Sequence, residues 1–231
     1  MSISVSGGSK SSCDTVVNSG GYWSCKVSVS WPKGGSGSVS ISVTQTCPCG
    51  GASSSAGGSA YWVYTTSPIA IDFSGSGKVS TVTAAQAPAK FDLTGNGAPV
   101  SSGWIAPSAG FLVDARANGG QVSSVKDLFG GAVGDGFAKL ATFDSNGDGV
   151  IDAKDADWNQ LKVWRDANLN KQVDAGELQT LAQAGIASIS IAHTDNWETD
   201  AAGNFVYEHG SLTLANGKTL AMNDIYFAVN G

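Results

Sequence analysis

Asp144 to Glu177 holds two copies of one ligand pattern, and that pairing constrains the fold more than any other stretch. Counted from its first Asp, the first copy places Asp144, Asn146, Asp148, Asp152 and Asp155 at positions 1, 3, 5, 9 and 12, with the Val150 carbonyl at position 7. The second copy places Asp166, Asn168, Asn170, Asp174 and Glu177 at the same positions, with the Gln172 carbonyl at position 7. This is the spacing with which an EF-hand loop wraps a hard cation in oxygen, so two Ca2+ sites are expected. Gly149 stands at position 6 of the first copy, where the chain turns sharply, whereas Lys171 stands there in the second. With fewer carboxylates and a poorer turn, the second copy is expected to bind more weakly. In the first, Asp155 at position 12 is one methylene shorter than the usual Glu.

Ile151 and Val173, at position 8 of each copy, suggest loops lying back to back. Between them, Trp158, Leu161 and Trp164 are spaced to share one face of a short helix over 156–165. Helices are also predicted over 124–129, 136–143 and 174–184, and strands over 186–192, 205–214 and 219–229, with Asn216-Gly217 as a hairpin turn. The fold class expected is therefore α+β: a small antiparallel β domain, then an α+β calcium module containing a paired EF-hand-like unit.

Charge is concentrated at the loops. Eight of the 19 carboxylates fall in residues 144–177, in a chain that is only 14% charged with formal net charge −6. A divalent cation would neutralise that repulsion. No Lys/Arg cluster is present, so nucleic acid is not an expected partner, and no apolar run is long enough to span a bilayer. The residues after Met1 lack the basic and apolar regions of a cleaved signal. Seven Trp, eight Phe and five Tyr supply the bulk for a packed core.

Three regions are expected: a cysteine-bearing β domain over 1–50, a Gly/Ser-rich linker over 51–60 and the calcium module over 61–231. In the first, Trp23, Cys25, Val27, Val29 and Trp31 alternate with polar residues as in a half-buried strand. The four cysteines are Cys13, Cys25, Cys47 and Cys49. A bridge from Cys47 to Cys49 across Pro48 would be strained, which favours two disulfides that each pair one of these with Cys13 or Cys25. A four-thiolate zinc or iron–sulfur site and free thiols are the alternatives. Shorter turns at Asp72, Asp92 and Asp114 look like calcium loops that have lost carboxylates. Ser74, Ser76 and Thr94 stand where Asp is expected, and Arg116 would oppose a cation, leaving Asp72, Asp92 and Asn96 as weak candidates.

Several ordered motifs carry a wider resemblance: Pro68-Ile-Ala-Ile-Asp72, Phe91-Asp-Leu-Thr-Gly-Asn-Gly97, Ser102-Gly-Trp-Ile-Ala-Pro107, Leu128-Phe-Gly130, Gly136-Phe-Ala-Lys-Leu140, Val163-Trp-Arg-Asp-Ala-Asn168 and Glu177-Leu-Gln-Thr-Leu181. With the first calcium loop, they make residues 68 to about 230 resemble the calcium-dependent self-processing module of Frp-type, iron-regulated repeats-in-toxin proteins of Gram-negative bacteria. The resemblance implies a module folded by calcium. It also implies cleavage in which an Asp before Pro attacks its own peptide carbonyl to give an anhydride that a lysine amine can capture. Here Ser67 precedes Pro68, and neither His193 nor His209 is near it in sequence, so no catalytic residues are expected. His193-Thr-Asp195 and Tyr207-Glu-His209 are read as surface or structural groups.

The expected function is a non-catalytic, calcium-binding structural or attachment component of an extracellular or virion assembly, such as a phage tail tip or fibre. Its partners would be protein neighbours or further copies, with a cell-surface ligand as a further option. The alternatives are a type I-secreted repeats-in-toxin-like effector or accessory protein, and an active self-processing module cleaving at Ser67-Pro68.

Overall fold

In the computed structural model, side chains are described from Pro68 onward, except those of residues 117, 119, 131–135, 197 and 229–231. Of residues 1–67, only the backbone of the strands is described. The chain forms two units, residues 1–64 and 65–231. In the first, Ser36–Gln45 lies between Ser2–Ser6 and Ser54–Val63 in an antiparallel sheet. Asp14–Val17 pairs with Trp23–Lys26, and Ser9–Lys10 pairs with Val29–Ser30. The cysteine pairing and metal expectations lie outside the described residues.

The second unit is built on an eight-stranded antiparallel sheet. In chain order its strands are β1 (Ile69–Asp72), β2 (Ala109–Asp114), β3 (Val150–Ile151), β4 (Leu161–Trp164), β5 (Leu178–Thr180), β6 (Ile186–Thr199), β7 (Phe205–Leu214) and β8 (Thr219–Tyr226). In space the order is β3-β6-β7-β8-β1-β2-β4-β5. β1 and β2 are buried along their whole length because both faces are covered. Ala70, Phe111 and Val113 face a core with Trp104, Trp164, Phe91 and Phe227. Ile69, Ile71 and Leu112 face a second core with Phe129, Phe137 and Phe143. Alternation along each strand feeds both cores. Trp104 meets Phe111 edge-on with ring centroids 4.9 Å apart and stacks on Phe227 at 5.6 Å.

The expected α+β class is overturned. Among the described residues the only α-helix is α1 (Gly136–Ala141), with single 3-10 turns at Val125–Asp127 and Trp158–Gln160. Among the described residues α1 precedes the first calcium-type loop, but no α-helix follows that loop or flanks the second, so there is no EF-hand pair. The helix expected over 156–165 is one 3-10 turn followed by β4. Trp158, Leu161 and Trp164 do enter the cores, but β4 pairs with β2, setting Trp164 opposite Phe111. That non-local pairing overrides a helical spacing only a few residues long. The helix expected over 174–184 likewise becomes β5 and a single turn, closed where Ala184 N–H donates to Thr180 O and ended at Gly185, φ 73°. The strand expected over 205–214 is present, that over 186–192 runs on to Thr199, and that over 219–229 ends at Tyr226. No helix among the described residues is long and apolar enough to cross a membrane.

Candidate metal centre

The first loop, 144–155, leaves α1 and contains β3, one end of the sheet order. The second, 166–177, is the connection between β4 and β5 at the other end. The loops are therefore not back to back. Ile151 pairs with Ile189 on β6, and Val173 packs beside the Trp164 core. Each position-8 residue has found a non-local partner in place of the other loop.

The two loops nevertheless share one backbone form. Asp144 Oδ2 accepts the Gly149 N–H at 2.9 Å, and Asp166 Oδ2 accepts the Lys171 N–H at 2.9 Å. Positions 4 and 6 are left-handed in both: Gly147 and Gly149 at φ 74° and 86°, Leu169 and Lys171 at 61° and 58°. A non-glycine residue in that region costs about 1–2 kcal/mol. The second loop offsets this with contacts. Leu169 packs against the aromatic core, and Lys171 Nζ donates to Ser102 O at 3.0 Å and lies 4.9 Å from the Trp104 ring centroid. Burial lowers the Lys171 pKa to about 8, against the pull of Asp166.

Position 12 closes both loops identically. Asp155 accepts the Ser145 and Asp152 N–H groups at 2.8 Å each, so its shorter side chain still reaches positions 2 and 9. Glu177 accepts the matching Ala167 and Asp174 N–H groups at 2.9 and 3.1 Å.

Electrostatically the loops differ. The Asp152 N–H and then the Ser145 donors hold the Asp155 carboxyl below its usual range, against the opposing effect of burial. Asp152 is also held low, chiefly by the Lys154 N–H and then by the Lys154 ammonium. Asp166 is pushed up by burial, with Glu177 adding like-charge repulsion, although the Lys171 N–H and the Trp104 indole oppose the shift. The Trp104 indole donates to Asp166 Oδ2 at 2.8 Å and the Trp164 indole donates to Glu177 Oε2 at 3.4 Å.

The oxygen donors fit a hard cation. In the second loop the Asn168 and Asn170 amides both converge on Asp174 Oδ2, at 2.7 and 2.9 Å, bringing positions 3, 5 and 9 to one point. Turning either amide over presents its carbonyl oxygen there. In the first, the Asn146 amide donates to Asp148 at 3.2 Å. With Asp144, Asp152, Asp155 and the Val150 carbonyl, and with Asp166, Glu177 and the Gln172 carbonyl, these groups are the oxygens that would hold Ca2+.

Two further loops repeat the backbone form. Asp72 Oδ2 accepts the Gly77 N–H and Asp92 Oδ2 the Gly97 N–H, each at 2.8 Å, with Gly75, Gly77, Gly95 and Gly97 all left-handed. Hydroxyls complete these loops: Ser74 and Ser76 donate to Asp72, and Thr94 donates to Asp92. Asn96 accepts the Ala98 N–H. Burial opposes ionisation of Asp72 and Asp92, yet these donors hold both below the ordinary range. At the third turn Arg116 grips both oxygens of Asp114 at 3.0 Å, and Lys139 approaches at 3.3 Å, so fixed cations neutralise it.

The residues that sequence reasoning missed are the Trp104 donor to Asp166 and the gathering of His193, Asp195 and Glu208, whose carboxylate and imidazole atoms lie within 4.8 Å of one another. Loop spacing carries no signal for Trp104, which is 62 residues from Asp166. The alternation His193-Thr-Asp195 was visible, but only the β6–β7 register brings Glu208 beside it.

A family model described as the SPM domain matches residues 69–228. The chain is also similar to the iron-regulated protein FrpA of Neisseria meningitidis serogroup C. The two are 35% identical over 178 residues, which cover 74% of this chain and 16% of FrpA. The chain thus spans less than a fifth of that relative's length.

Proposed function

This chain belongs to the SPM domain family, and on that premise we propose that residues 68–231 form an Frp-type, calcium-folded module of a secreted repeats-in-toxin-like accessory protein, one that no longer cleaves itself. The FrpA likeness favours this reading over a virion component. The observation that carries it is the pair of loops closed by the same hydrogen bonds at positions 6, 9 and 12, the second with positions 3, 5 and 9 gathered at one oxygen. Calcium outside the cell, at about 10⁻³ M, would saturate even sites of about 10⁻⁴ M affinity, whereas cytosolic levels would leave the carboxylates repelling one another.

The chain's own residues account for the missing reaction. Pro68 is buried, its carbonyl accepts the Ile225 N–H at 3.2 Å, and β1 follows directly into the centre of the sheet. The junction is therefore anchored on its C-terminal side as a cleavage site of this family would need. What it lacks is the nucleophile, since Ser67 offers a hydroxyl in place of a carboxylate. Folding and cleavage are thereby separated.

Ser67→Asp tests the reading. On calcium addition the wild-type chain stays at one mass near 23.4 kDa, while the variant splits between residues 67 and 68. Cleavage of the wild type would overturn the loss of activity, and an intact S67D chain would overturn the self-processing ancestry of the site.

A further inference from the structure

β6 is interrupted by register shifts on either side of His193–Asp195, and the regular pairs between them are His193 with Gly210, Thr194 with His209 and Asp195 with Glu208. Bulges of this kind re-aim side chains. Residues paired across antiparallel strands share a face, and so do residues two apart on one strand, so His193, Asp195 and Glu208 project together while His209 projects to the opposite face. Gly210 opens this face. A Cβ there would stand 2.4 Å from Phe137, whose ring lies 4.7 Å from the His193 ring and walls one side of it.

The imidazole is oriented from behind. Its Nδ1 lies 3.3 Å from Ile191 O, a carbonyl that can only accept, so the neutral ring donates through Nδ1 and turns its Nε2 lone pair toward the carboxylates. Nε2 faces Asp195 Oδ1 at 3.7 Å and Glu208 Oε1 at 3.9 Å, too far for hydrogen bonds. The Tyr207 hydroxyl holds the other Asp195 oxygen, Oδ2, at 3.0 Å. Glu208 is buried, whereas Asp195 is open to solvent on the outer side.

We propose that His193 Nε2, Asp195 Oδ1 and Glu208 Oε1 bind a borderline divalent cation of the zinc class, separately from the calcium loops. At metal–ligand distances of about 2.0–2.2 Å, tetrahedral neighbours lie about 3.3–3.6 Å apart, so His193 Nε2 needs to close on each carboxylate by only a few tenths of an ångström, and all three ligand atoms already lie within 4.8 Å of one another. Backbone and phenol partners behind the ligands are the outer contacts that fix the tautomer and orientation of metal-binding side chains. An imidazole with only two carboxylates does not suit Ca2+, which takes six to eight oxygens. Solvent reaches the fourth position, and the ion would fasten β6 to β7 where their pairing is irregular.

The test is calorimetric titration of the full chain with Zn2+ in saturating Ca2+, comparing wild type with His193→Gln. The wild type takes up one more equivalent than the variant, and equal uptake overturns the site. The cysteines are common to both proteins and cancel. Asp195→Asn is the second variant, since its exposed side chain does not support the fold. With an unchanged melting temperature, its zinc affinity falls at least about tenfold, as loss of a direct ligand should cost no less than loss of an outer one. Unchanged affinity in that variant overturns the site equally.

Discussion

The two calcium-type loops have the same backbone form and opposite surroundings. In 144–155 the position-1 and position-12 carboxylates rest on backbone N–H groups, and most of the loop faces water. In 166–177 position 1 is fully buried where Asp144 is half-buried, and positions 1 and 12 add indole N–H groups from Trp104 and Trp164, two of the largest side chains in the core. The first loop is electrostatically settled by its own chain. The second concentrates charge against the aromatic core, so an ion there acts on the packing of the whole unit. Lys171 and Leu169, which a loop-only reading counts against the second site, are part of that connection.

The largest expected effect is at the link itself. Trp104→Ala removes a fully buried ring and the donor to Asp166, and should cost about 3–5 kcal/mol in calcium by chemical denaturation. A cost under about 1 kcal/mol would mean the second loop is not coupled to the core.

Next comes the calcium titration read by tryptophan emission. Glu177→Gln should weaken the transition by at least about tenfold, or 1.4 kcal/mol, and flatten the emission change. Asp155→Asn should remove an ion while leaving the emission response in place. Equal loss of the optical signal in both variants would erase the distinction between the loops.

The smallest effect is one of sign, and it appears in chelator. Asp166 has a folded-state pKa raised by burial, so its contribution is fully present below the unfolded value of about 3.9 and is lost as pH rises through the folded one. At pH 7 without calcium, the ionised group opposes folding, and Asp166→Asn should raise the melting temperature. Asp155 has a lowered pKa, so its contribution is present above the unfolded value and is lost as pH falls. Asp155→Asn should lower the melting temperature under the same conditions. Shifts of the same sign would show that burial of Asp166 carries no penalty.

The form of the loops was readable in advance because turn residues and the carboxylates that close them follow one another at fixed spacings. The twelve oxygen-bearing positions fall on two loops that close as position 1, 6, 9 and 12 geometry requires, and the degenerate loops at Asp72 and Asp92 have the related form inferred for them. The turn at Asp114 is neutralised by Arg116, the residue noted as opposing a cation. The helix expected over 136–143 is present as α1, and that over 124–129 shrinks to one 3-10 turn, but those expected over 156–165 and 174–184 give way to strands. Leu161 and Trp164 are core residues and Trp158 packs half-buried against the core, but three apolar positions over seven residues fit a helical face and a half-buried strand alike, and only the pairing with Phe111–Asp114 decides between them.

The sequence alone determined where oxygen donors stand along the loops, which glycines permit their left-handed turns, and that Ser67 precedes Pro68 without a carboxylate. These are local properties, set by residue type and separation along the chain. Tertiary structure decided that the loops sit at opposite ends of one antiparallel sheet, that Trp104 supports Asp166, and that His193 and Asp195 meet Glu208. Each depends on which strands pair and in what register. That choice is made by burial on both faces of β1 and β2, a free energy shared across distant segments and absent from any single stretch of chain.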